Sequence, residues 1–265
     1  MGRDKGQDSP SDDLAYAGGK LRLFTEARLG AGYRIAPGDG QAHYLLHVMR
    51  AREGARVLLF NGCDGEWQAR IAEVTRRSCA LVCESQTQTQ ADVPDLWLAF
   101  APIKRTPADY VAQKATELGV RVLQPVFTRR TIARRVNLER LRANAIEASE
   151  QSGRLTVPEA REAVSLEVLL KSWPADRRLL FCDEGGDAAP VADALQNTQA
   201  IGAWGVLTGP EGGFDPEERN SIRSHPLVLA VTLGPRIMRA DTAALAALAV
   251  WQAILGDWRK SGPAL

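Results

Sequence analysis

The stretch Leu207-Thr-Gly-Pro-Glu-Gly-Gly-Phe214 joins a short apolar run to the start of a predicted helix. Residues 204–208 are apolar enough for a buried strand, and Asp215-Pro-Glu-Glu218 has the residue order of a helix N-terminus. The glycines between them let the backbone approach a ligand closely, and ligands of open α/β sheets bind beyond the carboxyl ends of strands. Two interpretations remain open: a ligand-binding loop, and a tight strand-to-helix turn without a ligand.

A second stretch, Leu233-Gly-Pro-Arg-Ile-Met-Arg-Ala-Asp-Thr-Ala243, has the same organisation. It leaves a predicted strand at residues 228–233 and enters a long apolar helix at residues 242–255, with Asp241 or Thr242 as the expected cap. If the two strands are neighbours, the two loops enclose one small-molecule site with Arg236 and Arg239 beside it. A pair of surface arginines without a ligand is the alternative.

The residues around these loops alternate between short apolar runs and helical patterns. Strands are predicted at residues 96–101, 120–126 and 179–182, with helices at residues 106–119 and 138–150. This alternation is typical of a mostly parallel sheet that is covered by helices on both faces.

The N-terminal part has a different pattern. Residues 21–84 contain a possible short helix at 41–50 and short strands at 56–60, 66–74 and 79–83, which predict a small barrel. Residues 1–19 are polar and glycine-rich and are expected to form a disordered leader, and residues 85–95 are expected to form a linker.

The composition excludes several classes of protein. With 265 residues, 45% of them hydrophobic and 25% charged, the chain is expected to be globular, without a membrane span or signal peptide, and cytoplasmic by default. The four cysteines lack the paired C-x2-C spacing of zinc sites, so no metal is predicted, and Cys79 and Cys83, which share one face of a predicted strand, are expected to be buried reduced thiols. His43 and His47 are interpreted as structural or RNA-facing.

Charge is distributed unevenly although the net charge is only +1. Residues 121–142 hold seven arginines and one acidic residue. A solvated basic face is the simpler interpretation, but the guanidinium fork suits phosphate oxygens, so this segment is also a candidate for contacts to an RNA backbone.

The combination of GPEGGF, LGPRIMRADTA and a C-terminal Gly256-Asp257 resembles the SPOUT class of RNA methyltransferases, and within it the RsmE family. That family methylates N3 of a uridine in small-subunit (16S) ribosomal RNA with S-adenosylmethionine. The resemblance extends over residues 21–258. It includes Val48-Met-Arg50, Phe60-Asn-Gly62, Gln113-Lys-Ala-Thr-Glu-Leu-Gly-Val120 and Glu150-Gln-Ser-Gly-Arg154.

The resemblance implies an α/β fold of two domains: a PUA-like β-barrel at residues 20–90, and a SPOUT methyltransferase domain at residues 91–265 that ends in a trefoil knot. It further implies a homodimer that acts on small-subunit ribosomal RNA or the 30S subunit. S-adenosylmethionine would lie bent in the knot, held mostly by the backbone of three loops. The expected cofactor-binding residues are Cys182, Asp183, Glu184, Leu207, Thr208, Gly209, Pro210, Glu211, Gly212, Gly213, Leu233, Gly234, Ile237, Met238, Arg239, Thr242 and Ala243.

For catalysis, Arg239 is the expected stabiliser of a uracil anion, and Asp241 or Glu211 the expected proton acceptor, although both carboxylates could instead be structural. The family more often has Leu and Glu where this chain has Met238 and Asp241, which leaves the role of Asp241 open. The expected RNA contacts are Arg50, Lys104, Arg129, Arg130, Arg134, Arg135 and Arg154. Two alternatives are a SPOUT enzyme for another nucleotide or transfer RNA, and a non-catalytic RNA-binding assembly factor.

Overall fold

The computed structural model describes residues 15–16, 19–103, 106–185, 187–198 and 202–259. Most of the predicted leader and Lys104 lie outside these ranges. The chain divides into two compact units, one up to Ala91 and one from Asp92. Each unit has its own hydrophobic core.

The first unit is built on a five-stranded sheet with the order β3-β5-β6-β7-β4. Its core contains Leu45, Leu59, Ile71 and Leu81, all of which are almost fully buried. The strands are β1 (Ala15–Tyr16), β2 (Gly19–Lys20), β3 (Arg22–Phe24), β4 (Arg34–Ile35), β5 (Arg56–Phe60), β6 (Glu66–Ala72) and β7 (Ala80–Gln88), of which β1 and β2 form a separate hairpin.

Two local predictions for this unit need correction. The linker predicted from residue 85 is wrong at its start, because β7 continues to Gln88 and pairs with β6. The buried Glu66 carboxylate accepts hydrogen bonds from Thr87 and Gln88, which keeps this polar run in the sheet. The helix predicted at residues 41–50 is a short α1 (Asp39–His43) followed by a π-helical turn at Tyr44–Val48.

The second unit contains a parallel sheet with the order β10-β9-β8-β14-β12-β15-β13, and β11 pairs with β9. This confirms the predicted parallel sheet, whereas the trefoil knot stays a prediction. The strands are β8 (Leu96–Phe100), β9 (Val122–Phe127), β10 (Glu159–Ala160), β11 (Val164–Ser165), β12 (Arg177–Cys182), β13 (Ala189–Pro190), β14 (Ala203–Thr208) and β15 (Val228–Thr232).

Helices cover both faces of this sheet, as predicted. Alternate residues of a strand enter different cores: Leu180 of β12 packs with Trp251 on one face, and Phe181 packs with Ile222 on the other. The helices are α2 (Thr106–Glu117), α3 (Leu138–Ser152), α4 (Leu166–Lys171), α5 (Val191–Gln196), α6 (Pro216–Arg223) and α7 (Ala240–Ile254).

The N-termini of the helices that follow the two glycine-containing stretches differ. Asp215 and Glu218 form the expected capping box of α6. At α7, the predicted cap at Asp241 or Thr242 is wrong, because the helix begins at Ala240 and Arg239 is the N-cap without a side-chain cap bond. The Asp241 carboxylate instead accepts a hydrogen bond from the backbone N–H of Thr242, at 2.7 Å.

A buried polar cluster closes the C-terminal end of α2. The Arg154 guanidinium donates to the carbonyls of Thr116 at 2.6 Å and Val120 at 3.1 Å, and the Gln252 amide donates to that of Leu118 at 2.6 Å. These side chains satisfy carbonyls that have no partner inside the helix. Burial lowers the pKa of Arg154 to about 10, an effect that nearby Asp257 opposes. Three of the segments that carry the family resemblance, residues 113–120, 150–154 and 256–257, therefore meet at this cluster.

A second polar cluster ties the segment after β12 to α6. Buried Asp183 forms ion pairs with Arg219 and Arg223 of α6, each at 2.7 Å. Exposed Asp187 pairs with the same two arginines, and the hydrogen bond from Arg223 lowers the pKa of its carboxyl group despite some desolvation. Four side chains thus hold the segment after β12 against α6.

We expect Asp183→Asn to lower the free energy of unfolding by about 3 kcal/mol, because it removes the one buried carboxylate of this cluster and with it two ion pairs. The measurement is urea unfolding of the whole chain, with hydrogen exchange of the β12 and β15 amides to locate the effect. Asp187→Asn is the matched control. Its free energy of unfolding should fall by less, because Asp187 is exposed. Equal losses in both variants would contradict the importance of the buried pair.

Candidate cofactor site and basic segment

Three loops lie at one edge of the parallel sheet. Strand β12 pairs with β14 on one side and with β15 on the other, all in parallel. The segments 181–184, 207–213 and 233–243, which the family resemblance implies as the three cofactor loops, lie at the ends of these strands. We call residues 182–185 the first loop, residues 207–214 the second loop and residues 233–239 the third loop. Because neighbouring strands are about 4.8 Å apart, the starts of the outer two loops are separated by roughly 10 Å.

The first and second loops are in direct contact. Phe181, at the end of β12, packs edge-to-face against Phe214, with 5.1 Å between ring centroids. A side chain at Gly213 would place its Cβ 2.1 Å from the Glu184 carboxylate, and Gly213 has a φ of +65°, so only glycine fits there. The amide of Gly213 also donates to the carbonyl of Pro210, which closes a tight turn over Glu211 and Gly212.

The glycines of the three loops have different roles. Gly209 is required by packing, because its Cβ would lie 2.7 Å from the Phe214 ring. Gly212 and Gly234 are exposed, and at Gly234 no described atom lies within 4 Å of an added Cβ. The backbone of the second and third loops is therefore accessible to a ligand at these two positions.

The third loop presents cationic and apolar side chains to solvent. Ile237 is 90% exposed, and Arg236 and Arg239 are exposed as well. Within the described ranges, neither guanidinium has a hydrogen-bond or ion-pair partner. Leu233, Met238 and Asp241 are half-buried, and Thr242 and Ala243 lie in the first turn of α7.

Several predicted cofactor residues direct their side chains into the protein. Leu207, Thr208 and Pro210 are buried, so only their backbone can face a ligand. Asp183 is engaged by two arginines. Burial raises the pKa of the Cys182 thiol to about 12, so this group is neutral at physiological pH and cannot act as a base.

Glu184 and Glu211 are the exposed carboxylates of the first two loops. Glu211 lies at the tip of the turn from Pro210 to Gly213, and its carboxylate has no hydrogen-bond partner among the residues described. The site edge therefore combines accessible backbone, exposed apolar surface, two arginines and two carboxylates.

The structure separates the predicted RNA-binding arginines into groups. Arg154 is corrected to a structural role, because its guanidinium is buried on the C-terminal carbonyls of α2. Arg134 and Arg135, after β9, are exposed, as is Arg50 in the first unit, which has a φ of +52°. For these three, the described part of the chain provides no ion-pair partner.

Arg129 and Arg130 make contacts that the sequence did not predict. The Arg129 guanidinium pairs with Asp215 at 2.8 Å and with Glu217 at 2.5 Å. Arg130 donates to the carbonyl of Gly212 at 2.9 Å. One feature of the sequence could have indicated these contacts: both arginines come directly after β9. The carboxyl end of β9 lies at the same edge of the sheet as the three loops.

Comparison with known proteins supports the division into two parts. A family model described as an RNA methyltransferase domain matches residues 89–252, and one described as an RNA methyltransferase PUA domain matches residues 37–83. Within the described ranges, no helix is both long and apolar enough to cross a membrane.

Solved structures similar to this chain include two that hold S-adenosylmethionine. The ribosomal RNA small subunit methyltransferase E of Neisseria gonorrhoeae, bound to S-adenosyl methionine, is 28% identical with a TM-score of 0.81, covering 90% of this chain and 99% of that one. A putative methyltransferase from Legionella pneumophila, in complex with the bound cofactor, is 27% identical with a TM-score of 0.80. The match covers 89% of this chain and 98% of the Legionella chain.

Curated relatives give the same result from sequence. The ribosomal RNA small subunit methyltransferase E of Rickettsia conorii is 31% identical, covering 86% of this chain and 93% of its own length. The protein of that name from Synechocystis is 30% identical, and the match covers 81% of this chain and 71% of the Synechocystis protein. The fold, the loops at its sheet edge and these matches together show that the chain belongs to the ribosomal RNA small subunit methyltransferase E family.

Proposed function

We propose that this chain uses S-adenosylmethionine to methylate N3 of a specific uridine in small-subunit (16S) ribosomal RNA. The observation that carries the proposal is the convergence of the first, second and third loops at the carboxyl ends of β12, β14 and β15. The relatives named for methylation of small-subunit ribosomal RNA, and the similar structures bound to S-adenosylmethionine, support it.

The residues present fit this cofactor. Leu233, Ile237 and Met238 offer apolar surface for an adenine ring, and the open backbone at Gly212 and Gly234 allows close approach. Arg236 is an exposed cation within reach of a carboxylate on a ligand bound along the third loop. The remaining residues expected to hold the cofactor, from Cys182 to Glu184 and from Leu207 to Gly213, contribute through their backbone.

The chain's own side chains then act on the uridine. S-adenosylmethionine supplies an electrophilic methyl group, and uridine N3 becomes a good nucleophile only when it loses its proton. Arg239 is fixed at the N-cap of α7 and is assigned to stabilise the uracil anion by a charge-assisted hydrogen bond. Glu211 is assigned as the proton acceptor in preference to Asp241, because Asp241 already accepts a bond from Thr242.

Arg134, Arg135, Arg50 and Lys104 are proposed to contact the RNA backbone. We further propose that the protein acts in the cytoplasm, on ribosomal RNA or the 30S subunit, as a homodimer. The proposal of a homodimer rests on the resemblance of the chain to this family.

The function is tested by mass mapping of small-subunit ribosomal RNA from a strain that lacks this chain. We expect one uridine to lose a methyl group at N3 and a plasmid copy to restore it. If a methyl group is lost from another nucleotide or from transfer RNA instead, the proposed substrate is wrong and that nucleotide is the substrate. Unchanged RNA, together with no binding of S-adenosylmethionine in calorimetry, would favour a non-catalytic assembly factor.

Arg239→Ala should lower kcat about 100-fold, because a donor to a developing anion acts mainly in the transition state. Binding of S-adenosylmethionine, measured by calorimetry, should change little. Arg236→Ala removes the same charge from the same loop and should lower kcat less. Methylation at the wild-type rate by Arg239→Ala would refute the assignment.

The double variant Arg134→Ala/Arg135→Ala should weaken RNA binding and reduce the slope of log Kd against log salt by about two, one unit for each phosphate that is no longer neutralised by an arginine. Filter binding at several salt concentrations measures both. Arg129→Ala is the control. This variant should leave the slope nearly unchanged, because the Arg129 guanidinium is already paired with Asp215 and Glu217. An unaltered slope in the double variant would exclude this segment from the RNA interface.

A further inference from the structure

The segment after β9 begins with a tight turn, Thr128-Arg-Arg-Thr131, that reaches the second loop. The amide of Thr131 donates to the carbonyl of Thr128 at 3.0 Å, and the amide of Thr128 donates to the Thr131 hydroxyl at 2.9 Å. The two hydroxyl groups are also 2.9 Å apart. These three bonds define the conformation of the turn and hold its two central arginines on the side of the second loop.

Arg130 lies along the turn at the tip of the second loop. Its Nη1 donates to the carbonyl oxygen of Gly212 at 2.9 Å. A Cβ added at Gly212 would lie 3.6 Å from the Arg130 Cβ and 3.8 Å from its Cδ, which is ordinary van der Waals contact. The guanidinium therefore contacts Gly212, and the aliphatic part of the arginine lies where it would touch a side chain at this position.

The Gly212–Gly213 peptide is held at both of its polar ends. Its carbonyl accepts from Arg130, and its N–H donates to the carbonyl of Pro210 at 2.9 Å. Two consecutive glycines have a wide choice of backbone angles, so this peptide has little intrinsic preference for one orientation. The bond from Arg130 selects the orientation seen here and, with it, the direction of the neighbouring backbone groups.

We propose that Arg130 is a positioning residue for the cofactor loop rather than an RNA contact. This inference rests on the proposed function, because it assigns the second loop to S-adenosylmethionine. Backbone groups that must meet a ligand in one arrangement bind it more tightly when that arrangement exists beforehand. Removal of the guanidinium allows the Gly212–Gly213 peptide to turn, and the ligand must then restore its orientation.

The contacts of neighbouring Arg129 strengthen this assignment. Its amide donates to Glu218 at 2.8 Å and its guanidinium pairs with Asp215 and Glu217, so the turn is also fixed to the first turn of α6. Helix α6, which directly follows the second loop, is thus held by two other segments, by this turn and by the ion pairs of Asp183 with Arg219 and Arg223. Arg134, a few residues further on, has no such contact with the described residues.

The experiment is calorimetry with S-adenosylmethionine in the absence of RNA, for the wild type, Arg130→Ala, Arg130→Lys and Arg134→Ala. We expect Kd to rise about 10-fold in Arg130→Ala, which corresponds to about 1.4 kcal/mol. Arg130→Lys retains one donor and should recover most of the affinity. Arg134→Ala, an equal loss of charge on the same segment, should bind S-adenosylmethionine like the wild type.

Steady-state kinetics provide a readout that loss of folded protein would not reproduce. In Arg130→Ala we expect KM for S-adenosylmethionine to rise about 10-fold, while KM for RNA and kcat at saturating cofactor stay within about 2-fold. If the alanine variant is unstable, Arg130→Met, which keeps an aliphatic side chain but has no donor, takes its place in both measurements, with its folded fraction measured by thermal unfolding.

Each outcome has a separate meaning. If the wild type does not bind S-adenosylmethionine, the proposed function and this inference both fail. If the wild type binds and Arg130→Ala binds equally well, only the positioning role is refuted. If Arg130→Ala keeps its cofactor affinity but loses RNA affinity, Arg130 is an RNA contact, as the sequence alone suggested.

Discussion

The parallel pairing of β12 with β14 on one side and β15 on the other is the constraint on which the candidate site depends. Parallel strands end at the same edge, so this pairing places three loops side by side although they are spread over some 60 residues of sequence. None of the loops alone has the residues for a cofactor site: the first offers carboxylates, the second accessible glycine backbone, and the third cations and apolar surface. The strand order combines these properties.

Helix α6 maintains the arrangement of these loops. Asp183 and Asp187 bind the arginines at positions 219 and 223 of this helix, and the turn at residues 128–131 binds its first turn and the loop before it. The second loop is therefore fixed by charged side chains from two other segments. Since such pairs also have a desolvation cost, their main effect here is to specify one loop conformation, which glycine-rich backbone would not adopt unaided.

Features with a local signal could be predicted from the sequence. The five longer strands of the second unit, β8, β9, β12, β14 and β15, follow from short apolar runs, and the capping box of α6 follows from Asp215 and Glu218, three residues apart. The two-residue strands β10, β11 and β13 and the short helices α4 and α5 were not predicted. The two strands that precede the glycine-containing stretches are not direct neighbours, because β12 lies between β14 and β15. The loop after β12 therefore lies between the other two loops. The start of α7 was missed because Asp241 can bond its own neighbour as well as cap a helix.

Contacts between distant residues could not be predicted in this way. Arg154 was assigned to RNA because an arginine near a basic segment looks the same in sequence whether it faces solvent or the carbonyls of α2, 34 to 38 residues away. Arg130 and Gly212 are 82 residues apart, and Asp183 and Arg219 are 36 apart. Their pairing depends on strand order, and no periodicity in one sequence defines that order.

The position of β14 has a consequence for how the protein forms. It lies between β8 and β12, yet both of those strands precede it in the chain. A nascent chain that has reached β12 must therefore leave a gap in its sheet, or pair the wrong strands, until β14 emerges and is inserted. Such non-local pairing makes folding slow and exposes strand edges to other chains meanwhile. The third loop follows β15, which emerges after β14, so the three loops come together only when β15 has docked as well. The ability to bind a ligand therefore reports that this part of the sheet has been synthesised and folded.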